Sequence, residues 1–255
     1  MTYGYMPGPG QVDVDITIPA GQHVTGGAIG ILVLTLAYPL LPGNVANAST
    51  YDYPVLFKVL EGTDIPQILG ADPSLLDKVI EGGRELERQG ARAVIGACGY
   101  FANYQKEAAA ALTIPTFLSS LVQIPVMRQS LKPGQKVGVI CADRPSLTPS
   151  ALSQCGVDDL DSLVIYGAQD LPEFRNILDG TGHLNSHQLE QELVGLAKQM
   201  VAENPDIGAI LLECSDMPPY AWAVQNATRL PVFDFITMIN WIQGAVVRRP
   251  FTGFM

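Results

Sequence analysis

Cys98 and Cys214 stand in matching surroundings, 116 residues apart (214 − 98 = 116). The first ends the run Ala93-Val94-Ile95-Gly96-Ala97-Cys98 and is followed by Gly99-Tyr100. The second ends Ala209-Ile210-Leu211-Leu212-Glu213-Cys214 and is followed by Ser215-Asp216. An ordinary thiol has a pKa of about 8.5, and a helix N-terminus lowers it. The same helix start offers free backbone N–H groups that hold an anion such as a carboxylate. One strand-to-helix turn can therefore supply a thiolate base and part of a carboxylate cradle. Two such turns across a cleft make a two-base site. One thiolate takes a proton from the carbon next to a carboxylate, and the opposite thiol returns one to the other face. Such a proton is very weakly acidic, so fixed N–H dipoles must stabilise the carbanion-like charge as it develops.

The match extends past the cysteines. At the same offset Ala93 pairs with Ala209, Tyr104 with Tyr220, Ala111 with Ala227, Pro115 with Pro231 and Phe117 with Phe233. Similarity at a long period indicates a duplicated unit. Each copy reads as apolar strand, cysteine, helix, proline and second short strand.

The elements around the turns alternate in type. Strands are expected over 28–36, 54–60, 93–97, 136–141, 162–166, 207–213 and 231–234, and an edge strand over 12–18. Helices are expected after Ser74, from Tyr100 to Leu112, over 146–155, 187–203 and 235–247, and from Pro218 or Pro219 onward. The stretch 167–186 reads as a polar loop. This alternation predicts an α/β fold with parallel sheets in three-layer sandwiches. Ligands of such sheets bind beyond the carboxyl ends of the strands, where both cysteines fall.

Composition narrows the classes. The chain has 255 residues, 47% hydrophobic, with a mean hydropathy of +0.20. Its net charge of −10 argues against a nucleic-acid partner, which would need a basic face. The most apolar stretch, 28–41, is too short for a membrane span and is broken by Pro39. No basic stretch precedes an apolar run at the N-terminus, so a cytoplasmic protein without a secretory leader is expected. The four cysteines form no Cys-x-x-Cys pair, so no metal site is expected. Lys58, Lys78, Lys106, Lys132, Lys136 and Lys198 read as surface or helix positions, which gives no case for pyridoxal phosphate.

At Gly96-Ala97-Cys98-Gly99 and at Glu213-Cys214-Ser215-Asp216-Met217-Pro218-Pro219-Tyr220 the chain resembles the aspartate/glutamate racemase superfamily. That cofactor-independent group also includes hydantoin racemases, maleate cis-trans isomerases and arylmalonate decarboxylases. The resemblance covers nearly the whole chain. It implies two pseudo-symmetric, Rossmann-like three-layer domains with the active site in the cleft between them. The first would comprise residues 1–131 with the returning segment 232–255, and the second residues 132–231. Cys98 and Cys214 match the catalytic thiols, and Asn44 a polar substrate contact. Gly99, Tyr100 and Ser215 match the cradle after each thiol, and Ser119 and Thr148 match loops that face the cleft. No cofactor and no metal are implied.

The expected function is a racemase or epimerase, an isomerase acting next to a carboxylate by two-base proton transfer. A hydantoin racemase or a maleate-type isomerase is the alternative within the enzymes. A two-domain binding protein for a small carboxylate is the alternative outside them. Such a protein is expected as a homodimer or higher homo-oligomer, without nucleic-acid or membrane partners. Two departures point away from a strict glutamate or aspartate substrate. Gly99 and Ser215 stand where those racemases usually carry threonine, and Thr35-Leu36-Ala37 replaces an Asp-Ser strand ending. Whether Glu213, Asp216, His183 or Cys141 assist is left open by the sequence.

Overall fold

The computed structural model describes Ile18 and residues 20–255. The expected edge strand over 12–18 lies, Ile18 apart, outside the described residues. Two four-stranded sheets form the frame. The first holds β1 (Ile29–Val33), β2 (Val55–Val59), β3 (Ala93–Gly96) and β4 (Thr116–Phe117), in the order β2-β1-β3-β4. The second holds β5 (Lys136–Cys141), β6 (Leu163–Gly167), β7 (Ile207–Leu212) and β8 (Val232–Phe233), in the order β6-β5-β7-β8. All pairings are parallel, and the two orders are the same. The central strands β1, β3, β5 and β7 are near-continuous apolar runs because helices cover both their faces.

The helices are α1 (Ile65–Leu69), α2 (Leu75–Arg88), α3 (Gln105–Ala111), α4 (Ile124–Ser130), α5 (Pro149–Gln154), α6 (Pro172–Leu178), α7 (Ser186–Glu203), α8 (Ala221–Thr228) and α9 (Phe235–Val246). Leu75, Val79 and Leu86 recur at helical spacing and bury the inner face of α2. In α9, Phe235, Met238, Ile239 and Ile242 pack with Ile29, Ile31, Ala93 and Ile95 of the first sheet. Asp234 starts α9 with a capping box. Its carboxylate accepts from the Thr237 N–H (2.8 Å), and Thr237 Oγ1 accepts from the Asp234 N–H (2.9 Å). Among the described residues no helix is long and apolar enough to cross a membrane.

The duplication read from the sequence is repeated in the hydrogen bonds. Ala97 N–H donates to Leu32 O (2.8 Å), and Glu213 N–H donates to Ile140 O (2.9 Å). Val94 N–H donates to Pro115 O (3.0 Å), and Ile210 N–H donates to Pro231 O (2.9 Å). The first pair of bonds fixes the residue immediately before each cysteine to the neighbouring central strand. Each thiol is thus held at a strand's carboxyl end by the same main-chain device.

Three local expectations change. The chain after Cys98 makes a 3-10 turn, Gly99–Tyr104, before α3 begins at Gln105. The stretch 167–186 is not all loop, since it contains α6 behind a proline suited to a first helical turn. The short α1 is built on a capping box between Asp64 and Gln67.

Candidate active site

Both cysteines lie two residues beyond a strand end, Cys98 after β3 and Cys214 after β7. They line one cavity between the halves, together with Ala97, Ser215 and Asp216. Its roof comes from α1 (Ile65, Ile68, Leu69) and α6 (Ile177, Leu178). These are the short helices that each half places between its second strand and its long helix. Leu34, Leu36 and Tyr38 complete one side, and Tyr100 and Ala142 the other. The cavity volume is about 30 Å³, room for a water or two, so the walls must part to admit a larger molecule. No lysine, arginine or histidine is among the described residues that line it.

The two thiols have different neighbours. The Cys214 S–H donates to Asp216 Oδ2 at 3.4 Å. Tyr38 OH donates to the same oxygen at 3.1 Å, and the Asn44 side-chain N–H donates to Asp216 Oδ1. Asn44 Oδ1 accepts from the Ala46 N–H (2.7 Å), which fixes which end of the amide faces Asp216. Burial raises the Asp216 carboxyl above its ordinary range, opposed by these three hydrogen bonds.

Across the pseudo-symmetry Asp216 corresponds to Tyr100, each lying two residues after its cysteine. The Tyr100 hydroxyl turns away from Cys98, donating to Asp143 O (2.6 Å) and accepting from the Asp143 N–H (2.7 Å). Only backbone N–H groups, those of Tyr100 and Phe101, oppose the rise in the Cys98 thiol pKa. Burial pushes both thiols up. Glu213 adds to the rise at Cys98, and Asp216, Glu213 and Cys98 add to it at Cys214. Burial therefore favours the neutral thiol at both cysteines.

Glu213 is a buried acid behind the cavity wall. Its Oε2 accepts from the Ala142 N–H (3.2 Å), while its Oε1 has no hydrogen-bond partner. Burial pushes its pKa up to about 8, helped by Asp216 and Asp143 and opposed by the Ala142 N–H. Glu213 therefore carries a proton at neutral pH.

The remaining expected site residues divide. Tyr100 and Ser215 line the cavity with the thiols, and the Ser215 hydroxyl ties the halves by donating to Ala97 O (3.0 Å). Asn44 stands behind Asp216, and Gly99 packs on Glu213. Ser119 is buried and accepts from the Leu121 N–H (3.3 Å), and Ser120 Oγ donates to Glu213 O (3.1 Å). Thr148 is exposed and caps α5 through the Ala151 N–H (3.2 Å). His183 and His187 are exposed, and Cys141 is buried with its S–H on Tyr166 O (3.4 Å). Tyr104 and Tyr220 repeat one tie, their hydroxyls donating to Asp72 O (2.7 Å) and Ser186 Oγ (3.3 Å) at the starts of the long helices. Tyr38 and the apolar roof were not anticipated. The Asp64-x-x-Gln67 box and Pro172 were the signals that could have found the roof helices.

No family model matches the chain. Two sequence relatives cover most of it. Dimethylsulfoniopropionate lyase 7 of Emiliania huxleyi (strain CCMP1516) is 31% identical over 236 residues, which is 89% of this chain and 69% of that protein. The dimethylsulfoniopropionate lyase of Durusdinium sp. clade D is 30% identical over 244 residues, covering 92% and 81%. Among solved structures, a mutant arylmalonate decarboxylase associated with a sulfate ion superposes with a TM-score of 0.56 at 19% identity, over 89% of this chain and 97% of that one. A glutamate racemase from Bacillus anthracis gives a TM-score of 0.56 at 15% identity, over 89% and 85%. At these identities the structural likeness shows the fold, which is that of the aspartate/glutamate racemase superfamily, as the sequence led us to expect.

The lyase relatives overturn the expected activity. A racemase or other isomerase, the hydantoin and maleate variants included, is set aside. The site offers a physical counterpart to that correction. Racemisation in both directions needs two bases that exchange roles. Here one thiol faces a carboxylate acceptor and its counterpart faces a tyrosine turned elsewhere.

Proposed function

The chain belongs to the dimethylsulfoniopropionate lyase family, and on that premise we propose that it cleaves a carboxylate bearing a sulfonium group on its β carbon. Dimethylsulfoniopropionate carries a carboxylate, two methylenes and a dimethylsulfonium cation. A base removes a proton from the carbon next to the carboxylate. The electrons of that C–H bond form the Cα–Cβ double bond. The Cβ–S bond breaks, and its electrons leave with sulfur as neutral dimethyl sulfide. Acrylate remains. One base suffices, and the leaving group needs no proton.

Cys214 is the base in this reading, and Asp216 Oδ2 is the acceptor for its thiol proton. The 3.4 Å contact between them is the observation that carries the assignment. The substrate carboxylate would face the N–H groups of the turns after the cysteines, including Gly99, Tyr100 and Ser215, where enolate-like charge develops. The sulfonium methyls would fit under Ile68, Leu69 and Ile177, with Tyr38 at hand for a cation–π contact. Cys98 would form the opposite wall. Closure of the roof would keep water from the carbanion-like state.

The test is incubation of the purified protein with dimethylsulfoniopropionate, measuring dimethyl sulfide and acrylate together. Equimolar release that is lost in Cys214→Ser supports the reading. Failure to release dimethyl sulfide overturns it.

A further inference from the structure

A cavity that must make a thiolate contains no cation to favour one. Cys214 faces Asp216, Glu213, Cys98, Tyr38 and Tyr100, every one of them neutral or negative. A helix N-terminus helps to make a thiolate, and active thiolates elsewhere commonly have a histidine, lysine or arginine beside them as well. Among the described residues lining this cavity no such side chain occurs. Asp216 can take the Cys214 proton, but once it hands that proton on to solvent it regains a negative charge, which discourages a thiolate beside it. The missing term is one positive charge.

We propose that the substrate's own onium cation is that charge, so that binding of a β-onium carboxylate lets Cys214 pass its proton through Asp216 Oδ2 to solvent and leaves the thiolate as the base. The inference rests on the lyase reading for the substrate class. The cation enters beside Asp216 and the aromatic faces of Tyr38 and Tyr100, in a site that excludes bulk water. It offsets the carboxylate and the incipient thiolate together. A carboxylate of the same shape without the cation would fill the cavity and leave Cys214 protonated. Selectivity for onium compounds then arises in the ionisation step as well as in binding.

The experiment compares two ligands that share one shape. Trimethylammoniopropionate carries the cation, and the tert-butyl carboxylate with carbon in place of nitrogen does not. Binding is followed by calorimetry, and thiolate by its ultraviolet absorbance across a pH titration of the whole protein. With the ammonium ligand, the apparent thiol pKa should fall by roughly two to three units, the effect of a unit charge a few ångströms away at an interior dielectric, so that one thiolate per chain forms at a pH where the protein without ligand shows none. The band should persist in Cys98→Ser and vanish in Cys214→Ser. The isostere without the cation should leave the absorbance unchanged. The inference is overturned if the ammonium ligand binds without the band, if it does not bind, if the isostere without the cation gives the same band, or if the band survives in Cys214→Ser. Release of dimethyl sulfide from dimethylsulfoniopropionate is scored separately. Turnover without the band removes this inference and leaves the lyase reading. The band without turnover does the reverse.

Discussion

The Oε1 oxygen of Glu213 occupies the volume that a side chain at residue 99 would fill. The second half of the chain thus reaches into the turn of the first, immediately beside Cys98. The contact is possible because residue 99 is glycine. A Cβ there would also lie 2.6 Å from the main-chain oxygen of Glu213, which side-chain rotation cannot relieve.

Gly99→Ala should therefore destabilise the fold by about 2 kcal/mol or more, at the upper part of the usual overpacking range. Urea unfolding checks this. Adding Glu213→Ala in the same chain should recover only part of the loss, because the carbonyl clash stays. Full recovery would mean that the side chain alone sets the limit.

Glu213 also predicts a pH-dependent stability. Its folded pKa is about 8, against an ordinary 4.5, so the folded chain keeps a proton that the unfolded chain gives up between those values. Stability falls as pH rises through that window, by up to about 1.4 kcal/mol per pH unit. Glu213→Gln removes this titration. The variant should match the parent below the window, gain on it steadily through the window and hold a constant lead above it, as read from Tm against pH. Parallel curves would show that Glu213 is ionised in the fold.

The broken symmetry at the thiols predicts unequal losses. Cys214→Ser should lower kcat about a thousandfold or more, since a serine hydroxyl is a far poorer base at neutral pH. Cys98→Ser should cost about tenfold, because its hydroxyl still forms the wall. Asp216→Asn should lower kcat about a hundredfold and also raise KM, because the carboxylate beside the cation is lost. Steady-state dimethyl sulfide release distinguishes these, with circular dichroism to confirm folding. Equal losses at the two cysteines would return the chemistry to a symmetric pair.

The raised thiol pKa values predict a split in the pH profiles. kcat/KM reports the free enzyme, in which burial and Asp216 keep Cys214 protonated, so it should climb with pH through and beyond neutrality. kcat reports the substrate complex, in which the cation favours the thiolate and the thiol proton has left to solvent, so it should level off roughly two to three pH units below kcat/KM. Two profiles that rise together would mean that binding leaves the thiol as it was.

The sequence carried the frame and the thiols plainly. Strands β3 and β7 are apolar runs of the right length, Pro115 and Pro231 mark the next strands, and the offset between Cys98 and Cys214 runs through both turns. The roof was hidden for a physical reason. Helices of five and seven residues have too few turns to show a period, and α1 and α6 are held by a capping box and a proline start. The reaction class was harder to read. Racemisation and elimination share their first step, removal of a proton beside a carboxylate, and the same thiol serves both. What separates them here is the pair Tyr100 and Asp216. Their equivalence follows from the common offset, and their opposite orientations emerge only when the two halves are compared in space.

Among the described residues no cation lines the cavity, and on the lyase reading this also governs what happens after the bond breaks. Substrate arrives as a zwitterion with no net charge. The products are an uncharged, apolar sulfide and a carboxylate anion. Once the sulfide forms, the acrylate lies beside Asp216 with no positive partner, and the N–H groups of the turns are its remaining hold. The chemistry thus weakens the grip on its own product, and acrylate should be a feeble inhibitor even when it accumulates. The charge that ionises the base is spent in the same event that ejects what the base has made.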